Sequence, residues 1–158
     1  MGVKSEFEAI RLNFFLPYQI SILADELARR TMAIAKEHGL NQSSWRVLAA
    51  LADQPGITAN EVVDMTPMDK GIVSRAVKSL IEDGMVIRKA SNDDGRIAHL
   101  YLTAKGNRNY IKTAEKVLKL DKLLSDCLSS NEQKVIAQSI DKLVSALKER
   151  NSASLTET

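Results

Sequence analysis

A mainly helical chain, broken once by a small β-hairpin, is the architecture that the sequence predicts. Apolar residues recur at helical spacing in long stretches toward both ends of the chain. One segment, RKASNDDGRIAHLYLT at residues 88–103, instead sets an Asn-Asp-Asp-Gly turn between two short strand-forming runs. The length of 158 residues fits one compact domain, and 4% aromatic content leaves aliphatic side chains to fill its core.

The first helix is marked by Leu16, Ile20, Leu23, Leu27 and Ile34, spaced by three, four and seven residues, with Pro17 in its first turn and Gly39 at its C-terminal cap. A second helix is expected from about Ser44 to Asp53, stopped by Pro55 and Gly56. Thr58 and Glu61 have the spacing of a capping box for a short helix through Met65. Thr66 is expected to cap the next helix, with Pro67 at its first position and Asp69 in its first turn. In that helix Ile72, Val73, Ala76, Val77, Leu80 and Ile81 make one apolar face that ends at Gly84. The opposite face carries Lys70, Gly71, Ser74, Arg75 and Lys78, small and basic groups that can approach phosphates and base edges.

The hairpin follows, from Met85–Lys89 and Ile97–Leu102, its tip carrying Asp93, Asp94, Gly95 and Arg96. Thr103 then caps a long helix whose apolar side is Tyr110, Ala114, Val117, Leu118, Leu124 and Leu128. A last helix is expected from near Ser130, paired with Gln133, and is expected to bury Ile136, Ile140, Leu143, Val144 and Leu147. The tail from Asn151 is expected to fray.

Charge is informative by position rather than by amount. The net charge is only +2, but residues 68–108 hold eight basic and five acidic side chains, an excess of +3 in the middle of the chain. The single cysteine, Cys127, precludes an intramolecular disulfide framework and fits a reducing cytoplasm. No apolar run approaches the roughly 20 residues of a membrane span. Two distant histidines, one cysteine and no Gly-rich phosphate loop leave little material for catalysis, a metal site or a cofactor, so an enzyme is not expected.

A short helix, a tight turn, a helix with a basic outer face and a hairpin with a charged tip make a winged helix-turn-helix. In that arrangement the second helix of the pair enters the major groove of double-stranded DNA and the hairpin flanks it. Arg96 at the tip suits the minor groove, where negative potential concentrates, and Asp94 two residues earlier is placed to orient its guanidinium. Lys78 and Lys89 fit phosphate contacts.

The stretches GLNQSSWRVLAALADQPGITANEVV and MDKGIVSRAVKSLIEDGMVIRKASNDDGRIAHLYLTAKG resemble the multiple antibiotic resistance regulator (MarR) family. The most specific element is the wing motif D-x-R, here Asp94-Gly95-Arg96, followed by the LT-x-K-G re-entry at Leu102 to Gly106. Gly95 departs from the second basic residue that many members carry between that Asp and Arg. The resemblance implies N- and C-terminal dimerisation helices at 1–40 and 107–158 around a DNA-binding lobe at 41–106. It also implies a homodimer that regulates transcription, as a repressor or activator, on pseudo-palindromic operators and answers a small aromatic or anionic effector. Trp45 and Arg46, on the helix where the family builds its cleft, are effector-binding candidates together with His38, for which capping of the first helix is the plainer role. His99, which interrupts the second wing strand, is expected to be an exposed or an edge residue, and Cys127 a buried, inert thiol. Redox sensing through Cys127 and non-specific architectural DNA binding are the alternative functions.

Overall fold

The computed structural model describes residues 10–90 and 97–154. After a single 3-10 turn at Leu12–Phe14, the elements are α1 (Leu16–Lys36), α2 (Gln42–Asp53), α3 (Ala59–Met65), α4 (Lys70–Glu82), β1 (Val86–Ala90), β2 (Ala98–Leu102), α5 (Ala104–Asp126) and α6 (Ser130–Ser154). The order is that of the expected winged helix-turn-helix between long helices. The chain divides into two compact units, residues 1–115 and 116–158.

In the first unit α2, α3 and α4 pack around an aliphatic core of Val47, Leu48, Leu51, Val62, Val73, Val77 and Leu80, closed by Val86 and Leu100 of the hairpin. Helical spacing put these residues on shared faces, and their burial is the main reason the short α3 holds at all. The strands pair antiparallel with Val86 opposite Leu102 and Lys89 opposite His99. Gly39 and Gly84 adopt the left-handed conformation, φ 73° and 67°, that ends α1 and α4. The Gly84 turn is closed by Met85 N–H donating to the Leu80 carbonyl at 2.8 Å.

Several local expectations change. Asp69, not Thr66, caps α4: its carboxylate accepts from Ile72 N–H at 2.7 Å. Thr66 stays extended, and its hydroxyl donates back to Val62 at 2.7 Å, finishing α3 instead. Asn41 caps α2, which begins at Gln42, two residues before the expected start at Ser44. His99 is half-buried and not a loose edge residue. Its Nδ1 lies 2.7 Å from the Gly56 carbonyl oxygen, and Leu100 N–H donates to Ile57, so residues 56–58 lie along the outer edge of β2.

The second unit holds the rest of α5 and α6. Ser129 and Glu132, not Ser130 and Gln133, form the cap of α6, with Ser129 N–H and Oγ donating to Glu132 Oε2 at 2.8 and 2.6 Å. Those two bonds, the side-chain one first, hold the Glu132 carboxyl below its usual range. Gln133 serves the preceding helix, its amide donating to the Ser125 carbonyl at 2.9 Å. The apolar stripe of α6 is exposed in the single chain, not buried: Ile136, Ile140, Leu143, Val144 and Leu147 all face outward. Cys127 is likewise exposed, one residue past α5, with Sγ donating to the Leu123 carbonyl at 3.2 Å.

Candidate nucleic-acid interface

The site is built on α3, the turn after it, α4 and the hairpin. The Thr58–Glu61 capping box forms as read from the sequence: Thr58 N–H and Oγ1 donate to Glu61 Oε2 at 2.6 and 2.8 Å, and Glu61 N–H donates back to Thr58 Oγ1 at 3.3 Å. The backbone bond first, then the side-chain bond, keeps the Glu61 carboxyl below its usual range. The connecting turn is pinned by Met68, buried against the core, and by the Asp69 cap. These contacts fix the angle at which α4 leaves α3.

The two faces of α4 differ as its periodicity demands. Val73, Ala76, Val77 and Leu80 are buried, whereas Lys70, Gly71, Ser74, Arg75 and Lys78 are exposed. A Cβ at Gly71 would come within 3.2 Å of Asp69 Oδ1, so the carboxylate that caps α4 would have to give by a few tenths of an ångström, while the Arg75 guanidinium at 3.4 Å is in ordinary contact distance. Lys78 Nζ lies 3.9 Å from Glu82, a loose exposed pair that leaves its charge available to an anion.

The hairpin brings further cations alongside. Lys89 Nζ stands 4.9 Å above the centre of the Tyr101 ring, a cation–π contact that steadies an exposed lysine. Arg88 lines a groove of about 350 Å³ with Ser74, Lys78, Ile81 and Glu82. Sequence reasoning counted Arg88 in the basic excess but did not place it at the site. The strand alternation carried that signal, since Arg88 shares the parity of Val86, which packs into the core beside α4. A second groove, of about 370 Å³, sets Arg75 beside Asn41 and Ser43 at the start of α2. Asp94 and Arg96, with the rest of the wing tip, lie outside the described residues.

Trp45 is buried and stacks on Tyr110, ring centres 5.6 Å apart and planes 13° from parallel. Arg46, the next residue on α2, is half-buried. His38 follows α1, its carbonyl accepting from Asn109 Nδ2 at 3.3 Å, and the cavity that it lines includes neither Trp45 nor Arg46. Among the described residues no cluster of His, Cys, Asp and Glu could hold a metal ion, and no helix is long and apolar enough to cross a membrane.

Residues 38–97, which span α2 to the wing, match the MarR family model. The chain is 23% identical over 126 residues to the HTH-type transcriptional regulator BilQ of Clostridium symbiosum, covering 80% of this chain and 88% of that one. The fold is shared with the S. aureus MepR–DNA complex, at TM-score 0.78 and 18% identity over 85% of this chain and 98% of that one. It is shared too with the PcaV transcriptional regulator of Streptomyces coelicolor in complex with its natural ligand, at TM-score 0.72 and 21% identity over 89% and 99% of the two chains. The match to the MarR family model thus falls on the lobe at residues 38–97, and over most of its length the chain is similar in fold to MarR family transcriptional regulators.

Proposed function

We propose that the chain is a dimeric, sequence-specific DNA-binding regulator of transcription, a repressor in the cytoplasm that releases pseudo-palindromic operators when a small aromatic or anionic effector binds. The observation that carries this reading is the two-sided α4, with one face locked into the core and Lys70, Gly71, Ser74, Arg75 and Lys78 presented on the other. Small residues let that face approach base edges closely. Ser74 and Arg75 read bases in the major groove, while Lys70, Lys78 and Lys89 hold phosphates. Arg88, in the groove beside Ser74, joins the phosphate contacts. Asp94 and Arg96 are assigned from the sequence alone to the wing tip at the minor groove. A protein of the same fold is known in complex with DNA, and another with its natural ligand, which supports both halves of the proposal.

Dimerisation is supported by the apolar surface that the single chain leaves uncovered. Ile20, Leu23, Phe14 and Phe15 near the start, and Ile136, Ile140 and Leu147 on α6, are all exposed. Surface of that extent on one chain marks an interface, which supports residues 1–40 and 107–158 as dimerisation segments around the lobe at 41–106. Trp45, Arg46 and His38 are the effector candidates, an assignment that rests on the family resemblance.

The test is binding of the purified protein to DNA from upstream of its own gene and to random DNA of equal length. A specific complex abolished or re-targeted by Arg75→Ala supports the proposal. Equal affinity for both DNAs, unchanged by the substitution, would leave α4 as a solvated helix.

A further inference from the structure

We infer that Glu82 is an intramolecular competitor for DNA phosphate. Its carboxylate holds back the two cations of the groove between α4 and the hairpin, and so limits how tightly the protein binds DNA of any sequence. This role rests on the regulator reading above and gives that site a residue that works against binding.

The groove, of about 350 Å³, is lined by Ser74, Lys78, Ile81, Glu82 and Arg88, so two cations share it with a single carboxylate. Lys78 comes from the exposed face of α4, and Arg88 reaches the same space from β1. Glu82 Oε1 lies 3.9 Å from Lys78 Nζ, and both side chains are largely exposed. A phosphate that enters the groove meets the same cations, and it also meets the negative charge of Glu82. Two anions then compete for one pair of cations, and the DNA backbone loses part of their attraction.

The carboxylate does little to hold α4. As the last residue of that helix it lies at the negative end of the dipole, where an anion is unfavourable. Its pairing with Lys78 runs in the weaker order, since Glu four residues before Lys is the arrangement that better supports a helix. An exposed contact at 3.9 Å contributes little in either order. The end of α4 is closed instead by the backbone: Asp83 N–H donates to the Ser79 carbonyl at 2.9 Å, and Met85 N–H to the Leu80 carbonyl at 2.8 Å. The contact with Lys78 is loose enough for DNA to displace it, so Glu82 limits affinity and does not block binding. Because it acts on phosphate contacts alone, it lowers affinity for specific and random DNA by the same factor and keeps the sequence-independent share of binding weak.

The test compares wild type with Glu82→Gln on a duplex selected from random DNA and on an unselected duplex of equal length, at two salt concentrations. Glu82→Gln should bind both about three- to fivefold tighter at low salt, with a salt slope steeper by up to about one and a melting midpoint no lower than that of the wild type. Asp83→Asn removes the neighbouring exposed charge, which does not line the groove, and should gain less. In a Lys78→Gln background the gain from Glu82→Gln should shrink. Unchanged or weaker binding by Glu82→Gln, an equal gain from Asp83→Asn, or a gain undiminished by Lys78→Gln would each overturn the competition. A gain confined to the selected duplex would overturn it too, since phosphate contacts are common to both duplexes. A wild type that forms no complex with DNA would bring down the regulator reading and this role with it, whereas a wild type that binds while Glu82→Gln is no tighter brings down this role alone.

Discussion

Gly106, in the first turn of α5, lies so close to the Met85 carbonyl that a Cβ there would overlap it. Alanine normally gains about 1 kcal/mol over glycine in a helix, but here the overlap must push α5 away from the end of α4. Gly106→Ala is therefore expected to destabilise by about 1–3 kcal/mol. A melting midpoint lowered by about 2–4 °C per kcal/mol would show it, and a raised midpoint would contradict it. At Glu61 the expected effect depends on pH. Its carboxyl is held below the usual range by Thr58, so the charged form stabilises α3 at neutral pH, and that contribution is lost as pH falls through the folded-state value. The stability gap between wild type and Glu61→Gln should be widest near pH 7 and shrink in acid; a gap constant with pH would exclude the charge as its source. The Thr58–Glu61 pair was legible in the sequence because a capping box is a local pattern. The cap of α4 was misread because Thr66 and Asp69 both suit an N-cap, and only the burial of Met68 between them decides in favour of Asp69.

At the scale of elements, the start of α5 is bolted to the end of α4. Thr103 Oγ1 donates to the Gly84 carbonyl at 2.7 Å and accepts from Gly106 N–H at 3.0 Å, so one hydroxyl caps both helices. Thr103→Val, which keeps the shape and removes both bonds, should cost about 1–2 kcal/mol in denaturant unfolding. A loss of only a few tenths would mean that packing alone sets the junction. On α4 itself, Ser74→Ala and Arg75→Ala should alter which bases are preferred, at about 1–3 kcal/mol for each well-formed hydrogen-bonded pairing with a base that the substitution removes. Lys89→Ala should weaken all sequences alike and reduce the salt slope by about one. Selection of binding sites from random DNA separates these outcomes, and an unchanged preference in both α4 variants would sink the base-reading role. The two faces of α4 were legible because 3.6-residue periodicity divides them without ambiguity. Strand alternation puts Arg88 on the side of Val86, but that this side of the hairpin seats against α4 is a tertiary fact, and it is what brings Arg88 into the groove beside Ser74.

Across the whole molecule, the stripes of α1 and α6 were legible as apolar but not as exposed. A sequence shows that Ile136, Ile140 and Leu147 share a face, and it cannot say whether that face meets the same chain or a second copy. The wing tip falls outside the described residues, so Asp94 and Arg96 rest on their sequence motif alone. If the exposed apolar faces pair two chains, sedimentation should give a particle of twice 17.4 kDa at micromolar concentration. An interface of about 2,000 Å² is expected for an obligate pair, and the 17.4 kDa species alone would contradict it.

The claim that two copies of α4 read one DNA site is tested most directly by a hydroxyl-radical footprint on a duplex selected from random DNA, with the chains per duplex counted by sedimentation. Two chains per duplex, protecting two related half-sites whose centres lie about 34–36 Å apart along one face of the helix, are the expected result. Arg75→Ala should weaken both halves together. One chain per duplex with protection that does not depend on sequence would contradict the account, whatever the affinity.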